Sequence, residues 1–289
     1  MEGFQQYGMK FRWDLLQRFR LIEIILMWEG RLTTKPLVKA FRIERAQASK
    51  NIKRYKKEVD DENMVYDRSL KGYKPTEKFK PVVTKGVIDE YLSYLQNYKD
   101  MGGNFEGLSV HPPETQVLRP VQKKMDSAII RPIISAARDN KRLEITYASL
   151  TNPEQQKRVI CPHTLVYNGL RWHVRAYCEK NHEYRDFVLT RFYEVPIECG
   201  MSEYRVDSDI DWNHVLKIQL IPDPRLTKQQ QAIISKDFSM KQDFFEIESR
   251  AALLKYHFNM LNLSIDKNNK TPNIQQLFVK NAEELMPYL

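Results

Sequence analysis

Between Arg142 and Pro196 the chain is written for β-structure, and this stretch narrows the available folds more than any other. Five short runs, Leu143–Ser149, Arg158–Leu165, Arg171–Cys178, Tyr184–Leu189 and Arg191–Val195, are rich in β-branched and aromatic residues. Turn residues such as Asn168-Gly169 separate them. Strand side chains alternate faces. Trp172, Val174 and Ala176 are therefore expected on a core face, with Arg171, His173, Arg175 and Tyr177 on the other. Five short strands in succession fit a small barrel. Arg175, His173 and Arg191 on one wall call for an anion opposite them. A structural sheet whose arginines are simply solvated fits the same pattern.

The order Tyr147-x-Ser149, Cys161-Pro162-His163-x-Leu165, Gly169-x-Arg171-Trp172-His173-Val174-Arg175-Ala176-Tyr177-Cys178 and Phe187-x-Leu189-x-Arg191 resembles a WYL domain. The eponymous Trp-Tyr-Leu stands here as Trp172-His173-Val174, with histidine in place of tyrosine. The resemblance implies an Sm/SH3-like β-barrel that senses ligands in bacterial transcription regulators. Candidate ligand-binding residues are Tyr147, Ser149, His163, Trp172, His173, Arg175 and Arg191. Paired arginine donors and stacking aromatics suit a phosphate-bearing effector, such as a nucleotide or a short single strand.

At 289 residues, two or three domains are expected. The net charge of +9 is unevenly spread: residues 1–80 hold 19 Lys+Arg against 11 Asp+Glu, whereas the remainder is nearly balanced. Such a basic segment suggests an acidic partner, most often nucleic acid. Within it, Leu15, Phe19, Ile22 and Leu26 mark a first helix from Arg12 to Trp28, which Gly30 ends. Thr33 or Thr34 caps a second, short helix through Phe41, and Glu44 opens a third that reaches about Val59. On that third helix Ala48, Ile52, Tyr55 and Val59 form an apolar face. At roughly 100° per residue, Ala46, Gln47, Lys50, Lys53, Arg54 and Lys57 lie opposite. Residues 44–57 carry six basic side chains and one acidic one, which argues against a merely solvated face. Met64–Asp67 and Lys71–Pro75 read as a hairpin tipped by Arg68 and Lys71, so the whole reads as a winged helix-turn-helix. Candidate DNA-binding residues are Arg45, Gln47, Ser49, Lys50, Asn51, Lys53, Arg54, Lys57, Arg68 and Lys71.

Ala46-Gln47-Ala48-Ser49-x-x-Ile52-x-x-Tyr55, followed by Tyr66-Asp67 and Lys71-Gly72-Tyr73-x-Pro75, resembles the winged-helix half of WYL regulators found near phage-defence operons, the CapW/BrxR-like group. Glu44 stands where serine is usual; its charge suits the helix dipole but opposes a nearby phosphate.

Val83–Tyr98 reads as a further helix, and Met101 to Pro120 as a linker. Val121–Arg138 reads as mostly helical, with Pro132 opening a second helical piece. After a connection at Glu198–Asn213, strand, helix, strand, helix and strand follow at Leu216–Ile221, Thr227–Lys236, Asp243–Ile247, Arg250–Asn262 and Leu277–Val279. That order makes a small α/β sandwich. Pro222-x-Pro224-Arg225-Leu226 and Arg250-Ala251-Ala252-Leu253-Leu254 resemble the C-terminal extension of WYL regulators, which implies a ferredoxin-like fold and dimerisation. The expected class is thus α+β multidomain: 1–80 winged helix-turn-helix, 81–120 helical linker, 121–200 WYL domain, and 201–289 C-terminal extension.

No phosphate loop, GxSxG elbow or HExxH is present, so no catalytic residue, metal or cofactor is expected. Cys161-x-His163 is too little for zinc. Three cysteines without a framework and the absence of a signal peptide point to the cytoplasm. Glu23 interrupts the apolar run Leu21–Trp28, which is too short for a bilayer, so no membrane partner is expected. The reading is a homodimeric repressor of a phage-defence operon that binds double-stranded operator DNA and answers to an anionic nucleotide or nucleic-acid effector. The alternative is a nucleic-acid-processing enzyme or RNA-binding protein with the barrel as its site.

Overall fold

A computed structural model describes residues 10–100 (for 96–100 the backbone alone), 124–242, 244–265, 271–272 and 274–289. The chain separates into two compact units, Met1–Leu118 and Arg119–Leu289. Among the described residues no helix is long and apolar enough to cross a membrane.

The first unit contains α1 (Trp13–Glu29), α2 (Thr34–Phe41), α3 (Arg45–Glu58), β1 (Met64–Asp67), β2 (Gly72–Pro75) and α4 (Ile88–Asp100). Gly30, at φ 69°, ends α1 in the left-handed conformation that glycine adopts without steric cost. The Thr33 side chain accepts from Lys35 N and starts α2. Phe19, Ile22 and Leu26 of α1 pack with Leu37, Ala48, Ile52, Tyr55 and Met64 in one core. The burial of α1 exceeds the single stripe expected, because Ile24 also packs against Tyr91 and Leu95 of α4. That helix, expected in a linker, is held on α1 by a Trp28–Tyr91 stack at 6.4 Å and an Arg20–Glu90 ion pair at 3.2 Å. It starts later than Val83 because Glu23 holds Val82–Thr84 in a bend. The fully buried Glu23 carboxylate accepts from Tyr55 Oη (2.9 Å), from the Val82, Val83 and Thr84 amides (2.9, 3.0 and 2.9 Å) and from Thr84 Oγ1 (2.8 Å). The linker expected at Met101–Pro120 lies outside the described residues.

The second unit opens with α5 (Ser127–Asp139), capped by Asp126. Pro132 was expected to begin a separate piece; instead it lies inside one continuous helix. Val121 to Lys123 lie outside the described residues. Strands β3 (Lys141–Tyr147), β4 (Gln156–Tyr167), β5 (Trp172–Cys178), β6 (Glu183–Val188) and β7 (Ile197–Met201) form an antiparallel sheet in the order β6-β5-β4-β3-β7. The expected strand at Arg191–Val195 is reduced to a single bridge of Phe192 to Tyr147: a 3-10 turn occupies Leu189–Arg191, and the fifth strand starts beyond Pro196. No ladder joins β6 to β7 among the described residues, so the sheet is open where a closed barrel was expected. Its core unites Ile133 and Ala136 with Leu143, Ile145, Val174, Ala176 and Phe187.

The C-terminal part comprises α6 (Ile210–Asn213), β8 (Val215–Pro222), α7 (Lys228–Asp237), β9 (Phe245–Arg250), α8 (Leu254–Met260), β10 (Leu277–Val279) and α9 (Ala282–Leu285). The sheet order is β10-β8-β9, antiparallel throughout. Thr227 and Gln230 form a capping box that starts α7. The expected helix over Arg250–Asn262 is shorter, because β9 runs through Arg250 and a 3-10 turn covers Ala251–Leu253.

Candidate functional site

In the first unit, α3 turns Ala48, Ile52 and Tyr55 inward. Arg45, Gln47, Lys50, Lys53, Arg54 and Lys57 are exposed on its other side, and Ser49 is half-buried. Two candidates sit differently from the rest. Asn51 is buried and accepts a hydrogen bond from Gln47 Nε2 at 3.0 Å, so it orients Gln47 rather than facing solvent. Arg54 is paired with Glu58 at 2.8 Å.

The hairpin tip is ordered by Asp67, whose carboxylate accepts from Ser69 N (2.9 Å), Ser69 Oγ (2.6 Å) and Leu70 N (3.1 Å) and pairs with Lys74 at 2.8 Å. Lys74 and Ser69 hold the Asp67 carboxyl well below the usual range. Arg68 and Lys71 are exposed on that tip. The α1–α2 loop is clipped to the hairpin: Arg31 Nε donates to Leu70 O at 2.7 Å, and Leu32 and Tyr73 exchange backbone hydrogen bonds of 2.8 and 2.9 Å. Between loop and hairpin lies a groove of about 360 Å³ lined by Arg31, Lys35, Lys39, Arg45 and Lys71 with the Thr33 and Thr34 side chains. Five cations around one groove match a phosphate backbone. Sequence reasoning missed Arg31, Lys35 and Lys39 because helical periodicity does not reveal which loop cations the hairpin gathers.

In the second unit the two faces of β5 are both covered. Val174 and Ala176 enter the core as expected and Cys178 joins them, whereas Trp172 is 45% exposed and tilts against Tyr167 with centroids 5.0 Å apart. His173 and Arg175, expected on an open wall, are buried. The anion opposite Arg175 is internal: Asp209 Oδ2 lies 2.7 Å from Nε and Oδ1 lies 3.1 Å from Nη2, with Asp186 3.5 Å from Nη1. His163 Nε2 is 3.2 Å from the same Asp209 Oδ2. The register of β4 against β5 shifts between Pro162 and Thr164, which makes His163 the extra residue of a bulge, the kind of irregularity that re-aims a side chain. Burial opposes the Asp209 charge, but hydrogen bonds from His163 and Arg175 outweigh it and bring its pKa down to about 2. Burial lowers the His173 pKa, and its ring lies 5.2 Å from that of Tyr256, whose hydroxyl donates to Asp186 at 2.8 Å.

The remaining ligand candidates separate. Tyr147 is a core residue whose hydroxyl accepts from Val188 N at 3.0 Å. Ser149 closes the β3–β4 turn, accepting from Asn152 N at 3.0 Å. Arg191 sits in the 3-10 turn rather than on a strand, close enough for its charge to lower the His173 pKa.

Three family profiles match in succession. They are the BrxR transcriptional regulator winged helix-turn-helix domain at residues 14–97, the WYL domain at 128–197, and the BrxR transcriptional regulator C-terminal dimerization domain at 215–285. The DNA-binding transcriptional repressor CapW of Escherichia coli (strain KTE188) is 34% identical over 282 residues, covering 96% of this chain and 93% of that protein. The protein of the same description from Pseudomonas aeruginosa is 35% identical, with coverages of 95% and 91%. That from Stenotrophomonas maltophilia is 31% identical, with coverages of 97% and 94%. The chain belongs to the CapW family of transcriptional repressors.

As a CapW family member it has the expected segment order of winged helix, WYL domain and dimerization domain. Sequence alone does not point to Asp209, Asp186 or Tyr256. Their signal was faint: Asp209 is one acid in an acidic connection, 34 residues from its partner.

Proposed function

We propose that this chain is a sequence-specific, DNA-binding transcriptional repressor that acts as a homodimer and controls a phage-defence operon. The observation that carries the reading is the continuity of exposed cations in the first unit, from α3 through the groove beside Arg31 to the hairpin tip. Gln47 and Lys50 read base edges, while Lys53, Lys57, Arg45, Arg68 and Lys71 hold phosphates. Family membership supports repression, and a dimerization profile at residues 215–285 supports the homodimer. Its place is the cytoplasm, with the DNA it reads. The chain divides into a winged helix-turn-helix at 1–80, a helical linker at 81–120, a WYL domain at 121–200 and a C-terminal extension at 201–289. The meander β3–β6 with β7 beside β3 favours an opened Sm/SH3-like barrel, and the C-terminal sheet favours a three-stranded relative of the ferredoxin-like sandwich.

The WYL half senses a ligand carrying a base and a phosphate, with Arg175 and His163 as the anion-holding groups and Tyr177 as the stacking surface. The test of the DNA reading is a gel shift on the duplex upstream of the protein's own gene. Retardation is expected, weakening steeply with salt; equal binding to any duplex would remove sequence specificity from the reading.

A further inference from the structure

The connection between β7 and β8 lies over the face of β5 that the ligand reading assigns to an effector. Residues Ser202–Asn213 carry Glu203, Asp207, Asp209 and Asp211 against Arg205 as their one basic residue. This acidic strap makes two contacts of unlike chemistry on a single strand. Tyr204 stacks on Tyr177 with centroids 3.6 Å apart and planes 11° from parallel. Asp209 takes the Arg175 guanidinium through two hydrogen bonds and His163 through a third. Tyr177 and Arg175 are two residues apart and share a strand face, ~6.6 Å along it. Tyr184 Oη donates to Arg205 O at 3.0 Å between these two points, and the rings of Tyr184 and Trp212 meet His163 edge-on at 5.7 and 5.6 Å. An aromatic ring on an aromatic ring, followed by a carboxylate on an arginine, is the pattern of a stacked base followed by its phosphate.

We propose that Ser202–Asn213 is a built-in competitor for the effector site. Tyr204 holds the place of the base, Asp209 holds the place of the phosphate, and a base-plus-phosphate ligand enters only by displacing the strap. The proposal rests on the ligand reading above and adds how the site is kept closed. It also gives displacement a route onward. Asp209 Oδ1 accepts from Trp212 N at 3.2 Å as the N-cap of α6. Trp212 O accepts from Arg250, and His214 O accepts from Ala251 N at 2.8 Å. Displacing the capped strap therefore pulls on Trp212 and His214, and so on their hydrogen bonds to Arg250 and Ala251 at the end of β9.

Calorimetric titration of the full chain with 5′-AMP and with pentathymidylate tests this, using wild type, Tyr204→Ala, Asp209→Asn and the double variant Arg175→Gln with Asp209→Asn. Asparagine still caps a helix, and Tyr204 is 37% exposed, so Tyr204→Ala decides the matter if Asp209→Asn does not fold. Both single variants are expected to bind at least one probe tenfold or more tighter than wild type, and the double variant is expected to lose binding. A response to AMP identifies a free nucleotide as sufficient, whereas a response to pentathymidylate alone identifies a strand. Affinities of the single variants equal to or below wild type, with the double variant still losing binding, overturn the strap and leave the site standing. No binding of either probe by any of the folded proteins overturns the site itself, and the strap with it. Hydrogen exchange gives an independent check: ligand binding to wild type should speed exchange over 203–213, and slower exchange there would place the ligand over an intact strap and overturn displacement.

Discussion

Arg175 was legible in the sequence as a residue needing an anion, but not as one already supplied with it. Period-two alternation assigns a side chain to a face and says nothing about what covers that face; Asp209 arrives there from a connection 34 residues on. The same limit explains Asn51, placed near the α3 surface by its sequence position and buried by the packing around it. The Arg175–Asp209 pair has a measurable consequence. Its side chains are 7% and 2% exposed, so removing one charge strands the other. Asp209→Asn should lower the stability of the full chain by about 3 kcal/mol at pH 7. The folded pKa of Asp209, about 2, lies below the ordinary 3.8. Its contribution is therefore complete above the unfolded value and is lost as pH falls through the folded one, about 2 kcal/mol in all. Urea unfolding of both proteins should show their gap constant from pH 7 to 5 and narrowing below pH 4. A gap that widens in acid would mean that Asp209 is not held as the anion.

At the scale of elements, the winged helix was readable almost to the residue, because α3 obeys one period and Thr33, Gly30 and the hairpin punctuate it. Pro132 and the fifth strand were not, since tertiary packing keeps α5 whole and pairs β3 with Ile197–Met201. Glu23 shows the same asymmetry: in sequence it only breaks an apolar run, whereas in the fold it ties the chain leaving the hairpin to α1 and α3. Glu23→Ala leaves Tyr55 Oη and three amides without that acceptor and should cost about 3 kcal/mol or more in urea unfolding, with Glu23→Gln recovering part. Full stability in Glu23→Ala would show that water replaces the carboxylate. The groove makes a separate prediction about DNA. Lys35→Ala and Lys39→Ala should each weaken binding to all duplexes alike and reduce the salt slope by about one unit, whereas Gln47→Ala should cost about 1–3 kcal/mol on the cognate site alone. Titrations at several salt concentrations distinguish the two. An unchanged slope in both lysine variants would take the groove out of the interface.

For the whole molecule, the central question is how one winged helix obtains enough information. A single recognition helix reads a few base pairs, and a two-fold dimer doubles that by reading two half-sites whose spacing matches its own symmetry. The profile of a C-terminal dimerization domain at residues 215–285 puts the means of pairing in the second unit, while the exposed cations proposed to hold DNA belong to the first. The two functions should therefore come apart by truncation. A chain ending at Asn213 removes β8 to α9 together with Tyr256, which covers His173, and Arg250, whose guanidinium lies 4.7 Å from the Trp212 ring. The first unit keeps its own core, so its helices should melt as before. Sedimentation should find the full chain dimeric at micromolar concentration and the truncated chain monomeric. On an operator with two half-sites, the full chain should bind cooperatively and the truncated chain should occupy each half-site independently and more weakly. On one isolated half-site the difference in affinity should largely vanish, because no partner contributes there. A truncated chain that still sediments as a dimer and still binds cooperatively would move the pairing surface away from the last 75 or so residues.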